Sequence, residues 1–205
     1  TGFEMAGYDV ALGVEYIPRF SETFAANHKD AVAICGDIRE VENSEISEKL
    51  DGRHIDVVVG GPPCQGFSRA GRRDQKDPRN SLFMDFVRVV DLLKPKYFVM
   101  ENVPGILTMK NANDELVINI IRGEFNKIGY YVEWKKLLAS NYGVPQNRRR
   151  VIFIGTPMNE KGFASNPISY PQSTHAPAHK VNQPSLDVGL PKLKPHVGVG
   201  TILQD

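Results

Sequence analysis

The sequence predicts an α/β fold, a mostly parallel sheet flanked by helices. Three features point there. Runs such as His54-Ile55-Asp56-Val57-Val58-Val59 are short, β-branched and apolar on both faces, the pattern of a strand buried inside a parallel sheet. The runs stop abruptly in glycine and proline, as at Gly60-Gly61-Pro62-Pro63. Between them lie stretches of helical periodicity, of which Leu82, Phe83, Phe86, Val90 and Leu93 form the clearest apolar stripe. With 205 residues the chain can bury one real core, and its 41% hydrophobic content is ordinary for a globular protein. No apolar run approaches membrane-spanning length. A net charge of +1 excludes a chain-wide basic footprint, so any contact with nucleic acid must be local. Two cysteines, Cys35 and Cys64, make no disulfide framework and fit a reducing compartment.

Taken in order, Thr1 to Tyr8 has the character of a helix end stopped by Gly7. Asp9 to Tyr16 is a strand candidate with Glu15 at its end. An acid so placed in a nucleotide-binding sheet can hold ribose hydroxyls, while the plainer reading is a solvated acid. Pro18 to His28 is a helix with proline in its first turn. Ala31 to Gly36 is a strand in which Cys35 is expected to be buried. Asp37 then either meets a ligand or caps the next helix. Arg39 to Leu50 is polar, a helix or an irregular surface segment. Asn80-Ser81 can cap a helix running to Leu93, ended by Lys94-Pro95. Lys96 to Asn102 is a strand whose carboxyl end is marked by Glu101-Asn102-Val103-Pro104-Gly105. Asn113 can cap a helix from Asp114 to Ile128, with acids in its first turn, Gly129 after it, and Leu116, Ile120, Ile121, Phe125 and Ile128 as its buried stripe. Tyr130 to Ala139 and Arg149 to Gly155 are two more strands, joined by a turn at Asn141 to Pro145 and a basic run from Gln146 to Arg150. Arg148 and Arg150 alternate onto one face. After Pro157 the long apolar runs stop and proline accumulates. His175 and His179 lack acid or cysteine partners nearby, so a metal site is not expected there.

Cys64 follows the glycine-proline turn at the carboxyl end of a strand, where open α/β sheets bind their ligands. Pro62 and Pro63 fix the backbone just before it. A free cysteine is more often a small buried hydrophobe. Here Arg69, Arg72, Arg73, Lys76 and Arg79 crowd the next fifteen residues. Positive potential favours the thiolate and attracts phosphate; as bare residues these arginines would also suit a solvated loop.

Pro62-Pro63-Cys64-Gln65-Gly66-Phe67-Ser68, then Glu101-Asn102-Val103, then Gln146-Asn147-Arg148-Arg149-Arg150 resemble, in order and spacing, the motifs of the DNA (cytosine-5)-methyltransferase family, of the bacterial modification-methylase type. The resemblance runs from the N-terminus to about Pro157. It implies a Rossmann-like, S-adenosylmethionine-dependent methyltransferase fold. It assigns catalysis to Cys64, Glu101, Arg148 and Arg150. The cofactor, released as S-adenosylhomocysteine, would meet Glu15, Tyr16, Asp37, Ile38, Pro63 and Leu82, and substrate DNA would meet Gln65, Ser68, Asn102 and Gln146. It also implies residues 1–157 as a catalytic domain whose first strand and glycine-rich turn would precede Thr1. Residues 158–205 would connect to a target-recognition region after Asp205, so that the chain reads as truncated at both ends.

The implied chemistry is covalent. Cytosine C5 becomes nucleophilic when a thiolate adds to C6. Glu101, protonated or sharing a proton with N3, would steady the ring, and Arg150 with Arg148 would donate to O2 and to phosphate. The base must leave the duplex to be reached. The implied partner is duplex DNA with a flipped cytosine, the implied location a bacterial cytoplasm at the nucleoid, and the implied state a monomer without membrane contact. A tRNA cytosine-5 methyltransferase is the rival substrate reading, although Gly66-Phe67-Ser68 favours DNA. A non-catalytic or split subunit with a complementary chain is the rival of another class.

Overall fold

The computed structural model describes residues 2–63, 79–111, 113–181 and 192–202. Cys64, Gln65, Ser68 and the basic run up to Pro78 lie outside the described residues. The elements are α1 (Gly2–Met5), β1 (Leu12–Glu15), α2 (Pro18–Asn27), β2 (Val32–Cys35), α3 (Asn43–Leu50), β3 (Val57–Gly60), α4 (Arg79–Leu93), β4 (Tyr97–Asn102), α5 (Val117–Lys127), β5 (Tyr130–Leu138), β6 (Arg149–Pro157), β7 (His175–Ala176), α6 (Ala178–Val181), β8 (Lys194–Pro195) and α7 (Val199–Ile202). Helices and strands alternate as the periodicity predicts, and the fold is α/β.

Two sheets matter for the site. β1 and β2 pair in parallel, with Glu15 opposite Cys35. A second sheet has the order β3-β4-β6-β5. β3 and β4 are parallel, with Gly60 opposite Met100, whereas β6 runs antiparallel to both β4 and β5. The difference follows from the connections. β3 reaches β4 through α4, a crossover long enough for a parallel return, whereas β5 reaches β6 through a tight turn that permits only the antiparallel one.

α4 holds the two sheets together. Phe83, Phe86, Val87 and Val90 sit in the main core with Phe98, Met100, Phe125 and Phe153. Val89 and Leu93 of the same helix, with Ile55 before β3, also pack on the second cluster of Ile34, Val41, Ile46 and Leu50. Arg88 reaches across to the backbone beyond β2, its Nη2 donating to the Ile38 carbonyl at 2.6 Å. Phe86, two residues earlier, covers the bare face of Gly60 at the end of β3. The ends of β2 and β3 are thereby held at one level of α4.

The main core centres on Phe98. Its ring stacks on Phe125 at 4.1 Å between centroids, and Phe86 and Tyr130 pack on it at 5.9 and 5.8 Å. The Tyr130 hydroxyl donates to the Pro95 carbonyl at 2.6 Å, and burial pushes its pKa up to about 12, so it remains a neutral donor.

Several local expectations are corrected. Cys35 is exposed rather than buried: Ile34 takes the inward position, and the period of two turns Cys35 to the open face. α4 begins at Arg79, so Asn80-Ser81 lies inside the helix and not at its cap. α5 begins at Val117 without a side-chain cap or an acid in its first turn. Asn111, not Asn113, organises the approach: its Oδ1 accepts from the amides of Asn113 and Glu115, each at 3.0 Å. The residues buried within α5 are accordingly Val117, Ile118, Ile121 and Phe125. Gly129 does close this region, at φ 86°.

Gly155 stands opposite Phe98 in the β4–β6 register, and a Cβ there would lie 2.0 Å from the Phe98 ring. Gly155→Ala must push that ring into a filled core. We expect a loss of about 2–3 kcal/mol of stability by urea denaturation, the range for an overpacked core. An unchanged midpoint would show that the core around Phe98 yields.

Candidate active site

The carboxyl ends of β3 and β4 lie side by side because these strands pair in parallel. The turn that leaves β3 therefore meets the end of β4 at two successive residues. The Asn102 Nδ2 donates to the Pro62 carbonyl at 2.9 Å, and its Oδ1 accepts from the Val103 amide at 2.9 Å. Asn102 is buried, so its amide is committed to fixing the Pro62-Pro63 turn. The Glu101 carboxylate lies against Gly61, its Oε2 at 3.7 Å from where a Cβ would stand. The next residue in the chain after Pro63 is Cys64, so the turn that Asn102 holds directly precedes the predicted nucleophile.

From the other side β6 delivers the arginines. Glu101 stands opposite Ile152 in the ladder, and Arg150 is two residues away on the same face. Arg150 Nε donates to Glu101 Oε1 at 2.5 Å. The Arg148 guanidinium is 3.5 Å from the same oxygen. Glu101 and Arg150 are partly exposed and Arg148 is exposed, so the cluster opens to solvent. Among the described residues Oε1 carries both arginines, and Oε2 faces the Gly61 side with no partner. Gln146 is exposed in the turn before these arginines, its amide donating to the Val144 carbonyl.

At the ends of β1 and β2 a second group of predicted residues gathers. Glu15 Oε1 accepts from the Ile17 amide at 2.9 Å, which turns the carboxylate at the strand end; its other oxygen has no partner among the described residues. The Tyr16 ring is 70% exposed, enough to offer a whole face to a ligand. Glu15 is opposite Cys35, which brings Asp37-Ile38 beside it. Asp37 is otherwise engaged. Its carboxylate forms a fork with Arg39, with Nε at 2.9 Å on Oδ1 and the amide at 3.0 Å on the same oxygen. These bonds hold its pKa down to about 2. It does not cap α3, whose N-cap position is Glu42. Pro63, within the turn, is exposed, and Leu82, in the first part of α4, is half-buried.

The predicted residues thus form two groups. Arg148 and Arg150 meet on Glu101, which with Asn102 lies against the Gly61–Pro63 turn, and Glu15, Tyr16, Asp37 and Ile38 gather at the β1–β2 end. The sequence reading missed Arg39 as the partner of Asp37, Gly61 as the close neighbour of Glu101, and the bond from Asn102 to Pro62. Only the first left a trace in the sequence, an opposite charge two residues away.

Comparison with known proteins bears on this arrangement. The family model for C-5 cytosine-specific DNA methylase matches residues 1–195. The type II methyltransferase M.DdeI of Desulfomicrobium norvegicum is 48% identical over 164 residues, covering 78% of this chain and 39% of its own length. M1.HphI of Haemophilus parahaemolyticus, also a type II methyltransferase, is 38% identical over 196 residues, covering 92% and 50%. The chain therefore spans half or less of the length of these relatives. Among solved structures, a DNA modification methyltransferase encoded within an Escherichia coli prophage superposes with a TM-score of 0.62 at 29% identity, covering 84% of this chain and 51% of that one.

Two predictions follow from the contacts. Asn102→Ala leaves the Pro62 carbonyl without its donor and the Val103 amide without its acceptor, and should cost about 1–3 kcal/mol in urea unfolding, as loss of a buried partner does; a loss near zero would mean that the turn is held by something else. Carboxyl NMR should place the Asp37 titration midpoint about 2, and Arg39→Ala should return it toward 3.8. Because the folded value is depressed, the stabilisation from this pair is full above pH 3.8 and is lost as pH falls toward 2. A midpoint unmoved by Arg39→Ala would remove the fork as the cause.

Proposed function

The chain belongs to the C-5 cytosine-specific DNA methylase family, and from that premise we propose that it supplies the catalytic core of a DNA cytosine-5 methyltransferase that uses S-adenosylmethionine and acts on a cytosine swung out of the duplex. The observation that carries the reading is the meeting of Arg148 and Arg150 on the Glu101 carboxylate, whose other oxygen lies against Gly61 in the turn that Asn102 holds and that precedes Cys64 in the chain.

The β1–β2 end suits the cofactor. Glu15 has an oxygen free for a ribose hydroxyl, and Tyr16 has an open ring face for adenine. Asp37 and Ile38 lie next to them, Asp37 accepting from the adenine amine beside its bonds to Arg39. When bound, S-adenosylmethionine supplies an electrophilic methyl group on a sulfonium.

The residues of the chain prepare the base to receive that methyl. The Cys64 thiolate adds to C6 of cytosine, forming a C–S bond and pushing electron density to C5 and onto N3 and O2. Glu101 meets that charge through Oε2, sharing a proton with N3 and accepting from the exocyclic amine. Arg150 keeps Glu101 oriented, and Arg150 with Arg148 donates toward O2 and the flanking phosphate, stabilising the anionic ring as an oxyanion hole does. Once C5 carries its methyl, water takes the C5 proton, the C–S bond breaks and the thiolate leaves. The basic segment from Arg69 to Lys76 provides local positive charge for the phosphates beside the extruded base. The relatives bear the name of type II methyltransferases, which supports a role in bacterial DNA modification within the cytoplasm. No helix among the described residues is long and apolar enough to cross a membrane.

The test is methyl transfer from labelled S-adenosylmethionine to duplex DNA and to tRNA in parallel, with Cys64→Ser as control. Label at C5 of DNA cytosine is expected, and Cys64→Ser should abolish it while leaving cofactor affinity within about threefold, since the thiol contributes to the reaction and not to cofactor binding. A Cys64→Ser chain that retained more than about one-twentieth of the rate would dismiss Cys64 as nucleophile. Label on tRNA alone would move the substrate from DNA to RNA. Label on neither would leave a non-catalytic or complementary-subunit role.

A further inference from the structure

Arg148 and Arg150 reach the same carboxylate oxygen but are held in different ways. Arg150 lies within β6, opposite Leu137 of β5, so the ladder fixes its backbone. Arg148 lies one residue beyond the last ladder pair, Leu138 with Arg149. Its carbonyl accepts from the Ala139 amide at 2.9 Å. The rest of its placement is inherited from the turn between the strands.

That turn is exposed at Val144 and from Gln146 to Arg149, and exposed turns need something to hold them. Residues Ala139–Tyr142 form a single tight helical turn closed by Gly143 at φ 85°. The buried Ser140 hydroxyl donates to Asn147 Oδ1 at 3.3 Å, and Asn147 immediately precedes Arg148. The opposite side of the turn is gripped by the proline-rich segment that follows β6. The Asn141 carbonyl accepts from the Thr174 amide at 2.9 Å, and Asn141 Oδ1 is 3.0 Å from His196 Nε2. The Tyr142 hydroxyl donates to the Pro171 carbonyl at 3.1 Å. The His175 ring packs on Gly143, where a Cβ would come within 3.0 Å of it. Thr174 and His196 reach Asn141 together because β7 pairs with β8, with the Lys194 amide bonded to the Thr174 carbonyl and the His196 amide to the Ala176 carbonyl. Earlier parts of the same segment are tied to the sheet, Asn166 to Thr156 at 2.7 Å and Tyr170 to the Ile152 carbonyl at 3.1 Å.

We propose that Asn141 is a positioning residue for Arg148: residues 171–176 and 194–196 strap the 139–148 turn in place through Asn141, and the turn sets where the Arg148 guanidinium meets Glu101. The proposal deepens the reading of Glu101 and its arginines as the reaction site and rests on it for its kinetic consequence alone. Arg150, carried by the ladder, is independent of the strap.

The test uses the full chain. Nitrogen-15 NMR of the guanidinium groups, assigned with Arg148→Lys and Arg150→Lys, reads the two arginines whether or not the chain turns over. Asn141→Ala should move the Arg148 signal toward its position in Glu101→Gln and leave Arg150 in place. Asn141→Asp, which keeps an oxygen for His196, should restore it. If Asn141→Ala does not fold, His196→Ala removes the same side-chain bond from its other end, the Thr174 bond to the Asn141 backbone carbonyl being kept in both variants, and it should move Arg148 in the same direction. In the methyl-transfer assay Asn141→Ala should lower kcat about tenfold with KM for S-adenosylmethionine within about twofold, and should lower it no further in an Arg148→Ala background. An unmoved Arg148 signal in a folded Asn141→Ala chain, or additive losses with Arg148→Ala, overturns the proposal. A wild-type chain that transfers no methyl group, but whose Arg148 signal responds to Asn141→Ala, overturns the catalytic reading and upholds the positioning.

Discussion

The parallel register of β3 with β4 is the constraint on which the site depends. With Gly60 opposite Met100, the residues just past β3, Gly61–Pro63, and the last two of β4, Glu101 and Asn102, arrive at the same place. A slip of one residue would send Glu101 to the other face of the sheet and Asn102 to solvent. The register is defended from the core, because Phe98, Met100 and Asn102 all point to the buried side, against Phe86, Phe125 and the Pro62 carbonyl. Alternation then leaves Glu101 on the opposite face, where Arg150 waits on β6. The hydrophobic packing and the ion pair are two sides of one strand.

α4 extends this order to the β1–β2 sheet. Its Phe86 covers Gly60 and its Arg88 holds the Ile38 carbonyl, so one rigid helix spaces the Glu101 group from the Glu15 group. Groups that must act on one ligand pair are best set on rigid elements rather than loops. Asp37 adds a second consideration. Its fork with Arg39 keeps it charged and oriented, the carboxylate largely covered and the guanidinium exposed.

Much of this was legible in the sequence. β-branched runs ending in glycine and proline located β3 and β4, since a strand buried on both sides has few other ways to be written. Helical spacing located α4, and Gly129 located the boundary between α5 and β5. That Arg148 and Arg150 share a face was legible because a period of two places alternate residues on one side; that both meet the Glu101 carboxylate was not. What was hidden depends on contacts that no local pattern encodes. Asn111 displaced Asn113 because its side chain happened to reach two amides at once. Cys35 resembled a core residue by type, yet what it faces is set by the neighbour Ile34 and not by its own chemistry. Asn102, flagged for its place beside Glu101, spends both ends of its amide on backbone forty residues away and next door. The strap of residues 171–176 and 194–196 had no signal but proline, which marks irregular backbone without saying where it is bound.

The strand order carries a consequence for how the molecule is made. β6 lies between β4 and β5, both of which precede it in the chain. Until it emerges during synthesis, β4 has an open edge on that side and β5 has no partner in the four-stranded sheet, and unpaired edges are the surfaces through which nascent chains associate wrongly. The strand that closes those edges is the one that carries Arg150 to Glu101. Completion of the sheet and neutralisation of the acid at its centre are therefore a single late event, and a nascent chain that has not yet received β6 has no assembled site with which to meet a substrate.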